Sequence, residues 1–341
     1  MKLVLLTSAL LLLAQQGHAN DRVQVTANSG PVVGETITAE YRPIARFLGV
    51  PYARPPVGKL RFRKPLPVQK WDKPLDASHW PKSCFQDMDH PFNALAKKLT
   101  LNDEVSEDCL YLNIWSPKVD VTDESKLKPV IVWIHGGALM VGSSALKWYN
   151  GETLAARSDA VVVTINYRLS GFGFLYSDEV DDVKGNQGLW DQAMALEWVQ
   201  ENIRYFGGDP KKVTIMGNSA GGWSVSLQVL SPAARNLFQN AIIMSGSAIN
   251  DRVVIEPKQA VERWLRGIRN VGCANEQDKS ISREVVACLE KLEPEKVYQI
   301  GYGVSKGMGG KLKTTSLIAG YKAVISSRQN CRLWLLSMET F

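Results

Sequence analysis

Histidine is scarce in this chain of 341 residues: there are four, His18, His79, His90 and His135, and none follows His135. The remainder therefore lacks the side chain that most often serves as a general base near neutral pH. No C-x-x-C or H-x-x-x-H spacing occurs, so no metal centre is expected. No N-x-S/T sequon occurs, which excludes N-glycosylation. Nowhere is there a run of about 20 apolar residues, so no transmembrane segment is expected. No internal repeat is visible. Basic and aromatic residues do not interleave as on a nucleic-acid surface, and no nucleic-acid partner is expected.

The amino terminus has a recognisable purpose. Lys2 precedes a short apolar run, Leu3 to Ala14, and Gly17 and Ala19 are small residues at the spacing of a cleavage site. That pattern is a secretory signal peptide over residues 1–19, cut after Ala19. Five cysteines fit an oxidising compartment. An apolar content of 45% suffices for a packed core. Net charge is +6, but residues 303–341 hold six Lys/Arg against Glu339 alone, which is +5 and leaves about +1 for the rest. The reading is a near-neutral domain over 20–302 and a basic, compositionally foreign tail over 303–341.

Periodicity gives an α/β chain. Val23 to Thr38 reads as a β-hairpin turning near Asn28-Ser29-Gly30. Short apolar runs at 129–134, 160–166, 213–216 and 241–244 read as buried parallel strands. Helices are expected over 189–206, stopped by Gly207-Gly208, from Ala220 onward, and near 257–269 and 282–292. Strands alternating with helices imply a mostly parallel central sheet with helices on both faces.

One five-residue stretch carries chemistry. Gly217-Asn218-Ser219-Ala220-Gly221 joins an expected strand to an expected helix. A serine exposed on a sharp strand-to-helix turn needs glycine two positions to either side, because the bend leaves no room for side chains. Chance alone produces G-x-S-x-G in roughly one chain in ten of this length, so the strand–turn–helix context matters. A second motif adds weight: His135-Gly136-Gly137-Ala138 follows the strand ending at Ile134. Acyl transfer needs backbone N–H groups aimed at an oxyanion, here from Gly137, Ala138 and Ala220.

These residues, with FLGVPYARPPVGKLRF (47–62), SEDCLYLNIW (106–115), NYRLSGFGFL (166–175), GNQGLWDQ (185–192), ENIRYFGGDPKKVTIMGNSAGG (201–222) and SGSA (245–248), resemble the type-B carboxylesterase/cholinesterase family. The likeness runs from Val23 to Gly301. It implies an α/β-hydrolase fold, incomplete at the carboxyl end. It also implies a serine ester hydrolase acting through an acyl-enzyme on a small carboxylic ester, with no cofactor. Carried over by position, Ser219 is the nucleophile and Gly137, Ala138 and Ala220 are the oxyanion donors. Cys84–Cys109 and Cys273–Cys288 are disulfides, leaving Cys331 over. Arg61–Glu107 and Arg168–Asp191 are structural ion pairs.

Several features depart from the family pattern. Ala138 replaces a glycine, Asn218 replaces an acid, and Leu99 replaces a tryptophan that stacks on choline, which points to a neutral ester. No triad histidine follows Ser219, and no carboxylate matches the triad acid; Glu293, Glu295 and Glu339 read as surface groups. Impaired turnover is therefore expected, and a non-catalytic adhesion or recognition ectodomain is the alternative. Arg328 to Phe341, read one frame over, can encode a family-like strand, so the tail is read as a frameshifted or misspliced end. Loss of the later elements is expected to leave a sheet edge unpaired.

Overall fold

The computed structural model describes residues 21–88, 100–248, 254–306, 318–319 and 332–336. The signal-peptide reading, His18, His90, Leu99, Cys331 and Glu339 lie outside them. One sheet organises the chain. Its main strands are β1 (Arg22–Ala27), β2 (Gly30–Ala39), β3 (Arg42–Pro51), β4 (Tyr111–Ser116), β5 (Lys128–Ile134), β6 (Val161–Ile165), β7 (Gly208–Asn218), β8 (Asn240–Met244) and β9 (Arg332–Leu336). The order is β1-β2-β3-β4-β6-β5-β7-β8-β9, with Leu75–Asp76 added beside β2.

The central sheet is mixed, with antiparallel and parallel pairings gathered in separate halves of the strand order. From β1 to β6 every pairing along the order is antiparallel. From β6 through β5, β7 and β8 to β9 every pairing is parallel. In the antiparallel half only β1, β2 and β3 are joined by short turns, β4 and β6 being reached by long connections, and of these strands periodicity alone read a single hairpin and β6. That hairpin is present, with Ala27 paired to Gly30 across Asn28-Ser29. Its turn docks on the end of a helix: Asn28 Nδ2 donates to Glu201 O at 2.7 Å, satisfying a carbonyl the helix cannot use.

The helices are α1 (Glu152–Ser158), α2 (Ser170–Phe174), α3 (Gln187–Asn202), α4 (Ala220–Leu230), α5 (Pro257–Asn270), α6 (Arg283–Glu290) and α7 (Pro294–Lys306). The helix expected over 189–206 is shorter than that. It ends at Asn202, tightens into a 3₁₀ turn over Ile203–Phe206, and stops at Gly207 with φ 82°. Gly208 already belongs to β7. α7 has no counterpart among the expected elements.

Both faces of the sheet are covered. Val161, Val163 and Ile165 of β6 join the main core, while Val162 between them joins a smaller core with Trp115, Ala155 and Ala156 beneath α1. Alternating side chains divide one fully buried strand between two cores. β9 pairs with β8 in parallel from Asn240–Arg332 to Met244–Leu336 and is itself the last strand of the order among the described residues.

Candidate active site

Ser219 ends β7 and begins α4. Its backbone stands at φ 56°, ψ −122°, a conformation that costs an L-residue about 1–3 kcal/mol and needs support from its surroundings. Support comes from β8, where Met244 O accepts the Ser219 N–H at 2.9 Å. Ser219 O accepts Trp223 N–H at 2.9 Å, the first turn of α4. The two flanking glycines sit where backbones meet. A β-carbon on Gly217 would lie 2.5 Å from Gly221 C, and one on Gly221 would overlap Ile134 O and lie 3.0 Å from His135 C.

A substitution tests this closeness. Gly221→Ala is expected to lower unfolding free energy by about 3 kcal/mol, since backbone blocks the methyl on two sides. Gly58→Ala is the control: Gly58 has φ +58° but nothing within 4 Å, so only backbone strain of about 1 kcal/mol applies. Urea titration separates the two; equal losses would mean the elbow is not sterically tight.

The His135–Ala138 loop passes directly beside Ser219. A β-carbon on Gly136 would lie 2.6 Å from Asn218 O and 3.3 Å from Ser219 Cβ. Gly137 takes φ 118°, and its carbonyl accepts both Met140 N–H and Val141 N–H at 3.0 Å. Ala138 and Leu139 follow at φ 56° and 62°. Two consecutive non-glycine residues in the left-handed region are unusual, and strain of this kind gathers at functional sites. Among the described residues, no acceptor partners the amides of Gly137, Ala138 or Ala220.

His135 holds this loop from below and is almost fully buried. Its Nδ1–H donates to Gly136 O at 2.8 Å, and its ring stacks on Tyr167 with centroids 4.4 Å apart. Tyr167 Oη donates in turn to His135 O at 2.7 Å. Burial disfavours the imidazolium and lowers the His135 pKa from 6.5 to about 4. The unfolded chain thus binds a proton that the folded chain refuses between these values. Stability is full above pH 6.5 and falls as pH drops toward 4, by about 3 kcal/mol from this group. His135→Gln is expected to flatten that part of the stability–pH curve in chemical denaturation; an unchanged slope would assign the acid sensitivity elsewhere.

The two disulfides and both ion pairs stand where the family resemblance puts them. Cys84 bonds Cys109, and Cys273 bonds Cys288. Arg61 binds Glu107 through Nε at 2.7 Å and through Nη2. Its remaining nitrogen donates to Leu289 O, Glu290 O and Leu292 O, capping the end of α6. Arg168 binds Asp191 through Nε at 2.8 Å and Nη2 at 2.6 Å, and Asp191 also accepts the Arg168 backbone N–H at 3.0 Å. Neither pair touches Ser219.

Residues 21–318 match the model of the carboxylesterase family. The chain belongs to the carboxylesterase family. It therefore has an α/β-hydrolase fold, and the match runs past Tyr302 into the basic tail. Similar proteins include an "Acetylcholinesterase-1" of Trittame loki, 45% identical over 82% of this chain and 49% of that protein. A "Cholinesterase" of Mus musculus is 40% identical over 83% of this chain and 46% of its own length. "Carboxylesterase 1E" of Mus musculus is 42% identical over 86% of this chain and 51% of its own length. The chain thus spans about half the length of the curated relatives it matches.

The carboxylesterase fold here brings Ser219, Ala220 and the Gly137-Ala138 loop together, with Ser219 exposed. No histidine joins them as a partner of the Ser219 hydroxyl among the described residues. His79 is an exposed side chain bonded to Ser78 Oγ at 3.0 Å, and His135 is committed to its own loop. Sequence reasoning missed two residues behind the loop, Ser170 and Gly301. The one signal was a glycine inside an apolar-periodic helix, which costs about 1 kcal/mol and asks for a packing reason.

Proposed function

We propose that this carboxylesterase-family chain presents the acyl-transfer site of a secreted carboxylic ester hydrolase. Ser219 Oγ attacks the ester carbonyl, and the amides of Gly137, Ala138 and Ala220 take the developing oxyanion. The alcohol leaves, and water releases the acid from the acyl-enzyme. The observation that supports this reading is the close apposition of Gly136 to Ser219, with Ser219 exposed and the amides of Gly137 and Ala138 unpaired among the described residues. The substrate is a small neutral ester, since Leu99 cannot stack on a choline group. The two disulfides and the amino-terminal signal pattern support export.

Turnover by the chain itself is proposed to be slow, because no histidine follows Ser219. The undecorated Ser219 hydroxyl also favours a second reading, a recognition ectodomain without catalysis. A fluorophosphonate separates them. The Ser219 oxygen displaces fluoride from phosphorus while solvent base takes the proton. Adduct mapped to Ser219 and absent in Ser219→Ala supports the esterase site; equal labelling of both, or none in alkaline buffer, leaves the recognition reading.

A further inference from the structure

Leu139 stands in the left-handed region directly after Ala138, and its carbonyl is held by the Ser170 N–H at 2.8 Å. Ser170, fully buried at the start of α2, is itself left-handed at φ 51°, and its hydroxyl has no hydrogen-bond partner among the described residues. A serine gains nothing locally from that conformation. Something outside must impose it, and α7 is what packs there. A methyl on Gly301 would overlap Ser170 Oγ and approach Ser170 Cβ to 3.3 Å and Met140 Cε to 3.4 Å.

α7 has no freedom to yield. A β-carbon on Gly267 of α5 would overlap Ile300 O, and one on Gly171 would lie 3.2 Å from Val297 O. Two neighbouring helices therefore meet α7 through backbone. On the other side, Arg168 is clamped by Asp191, so the chain entering Ser170 is fixed as well. Strained residues persist only where the surroundings over-determine them.

We propose that Ser170 and Gly301 are positioning residues for the oxyanion loop, with α7 as the buttress that sets Leu139, and through it the Ala138 and Gly137 amides. This rests on the esterase reading of Ser219 for its chemical consequence but not for its structural one. The contact is a lock between two small residues: the space that Gly301 leaves is the space that the Ser170 side chain fills.

The test is a paired substitution in the full chain, read two ways. Gly301→Ala is expected to slow fluorophosphonate labelling of Ser219 in alkaline buffer by roughly tenfold or more, because a displaced oxyanion donor loses most of its value. It is also expected to speed amide exchange over residues 137–141 while β1 to β3 stay protected. Adding Ser170→Gly removes the obstructing side chain and keeps the N–H that binds Leu139, so the double variant should recover both properties. Unchanged exchange over 137–141 in Gly301→Ala, or no recovery in the double variant, overturns the proposal. If Gly301→Ala does not fold, the double variant decides alone, by folding and labelling like the parent or failing to. If the parent does not label at Ser219, the nucleophile reading has failed, and the exchange arm still tests the buttress.

Discussion

The purified chain of 341 residues is expected to hydrolyse an activated aryl ester only slowly. Removing a triad base leaves an oxyanion hole and binding that still accelerate reaction roughly 10³–10⁴-fold over water. On the proposed reading that residual is the ceiling for this chain, in whose 341 residues no histidine follows Ser219. Ser219 is exposed and its hydroxyl is not paired with any described side chain, so the proton must go to solvent. The rate should therefore climb with hydroxide and show no plateau near neutral pH, where an imidazole would otherwise titrate. Ser219→Ala should reduce that small rate further. A bell-shaped or plateauing profile near neutrality, lost in Ser219→Ala, would reveal an internal base and end this reading.

Asp191→Asn is expected to destabilise the chain by about 3–5 kcal/mol, a large share of the total stability of an ordinary domain. Arg168 and Asp191 have side-chain exposures of 3% and 0%, so solvent cannot replace the lost partner. One guanidinium nitrogen of Arg168 already lacks a partner among the described residues, and the substitution would strand the charge altogether. Asn also weakens the acceptor for the Arg168 backbone N–H, which sits two residues before Ser170. Replacing both partners, Asp191→Leu with Arg168→Met, should recover much of the loss, since a buried pair often contributes little over apolar residues of similar size. Recovery should stay incomplete, because the backbone N–H of residue 168 loses its acceptor. Urea unfolding of the three proteins measures this; a loss below about 1 kcal/mol for Asp191→Asn would mean the pair is solvated.

Much of the site was legible without a structure. The glycines at 217 and 221 announce the bend around Ser219, because the requirement is steric and falls within five residues. The loop proposed to hold the oxyanion was legible for the same reason, as His135-Gly136-Gly137 follows directly on an apolar run. The antiparallel half was not. Residues 42–51 and 111–116 pair with each other from far apart along the chain, and Pro43 and Pro51 hide the first of them from propensity. The basic tail was read as foreign by its charge, and its composition carried no hint that residues 332–336 would pair with β8.

What the sequence by itself determined is where Ser219 stands and which amides flank it, since local backbone sterics decide both. What only the tertiary structure decided is how that arrangement is held. His135 is neutral because burial removes its solvation, not because of any neighbour in sequence. Ser170 meets Gly301 because α2, α5 and α7 converge, and 131 positions of chain separate the two residues. A contact between two small side chains so far apart leaves no pattern to read; close packing of three helices creates it.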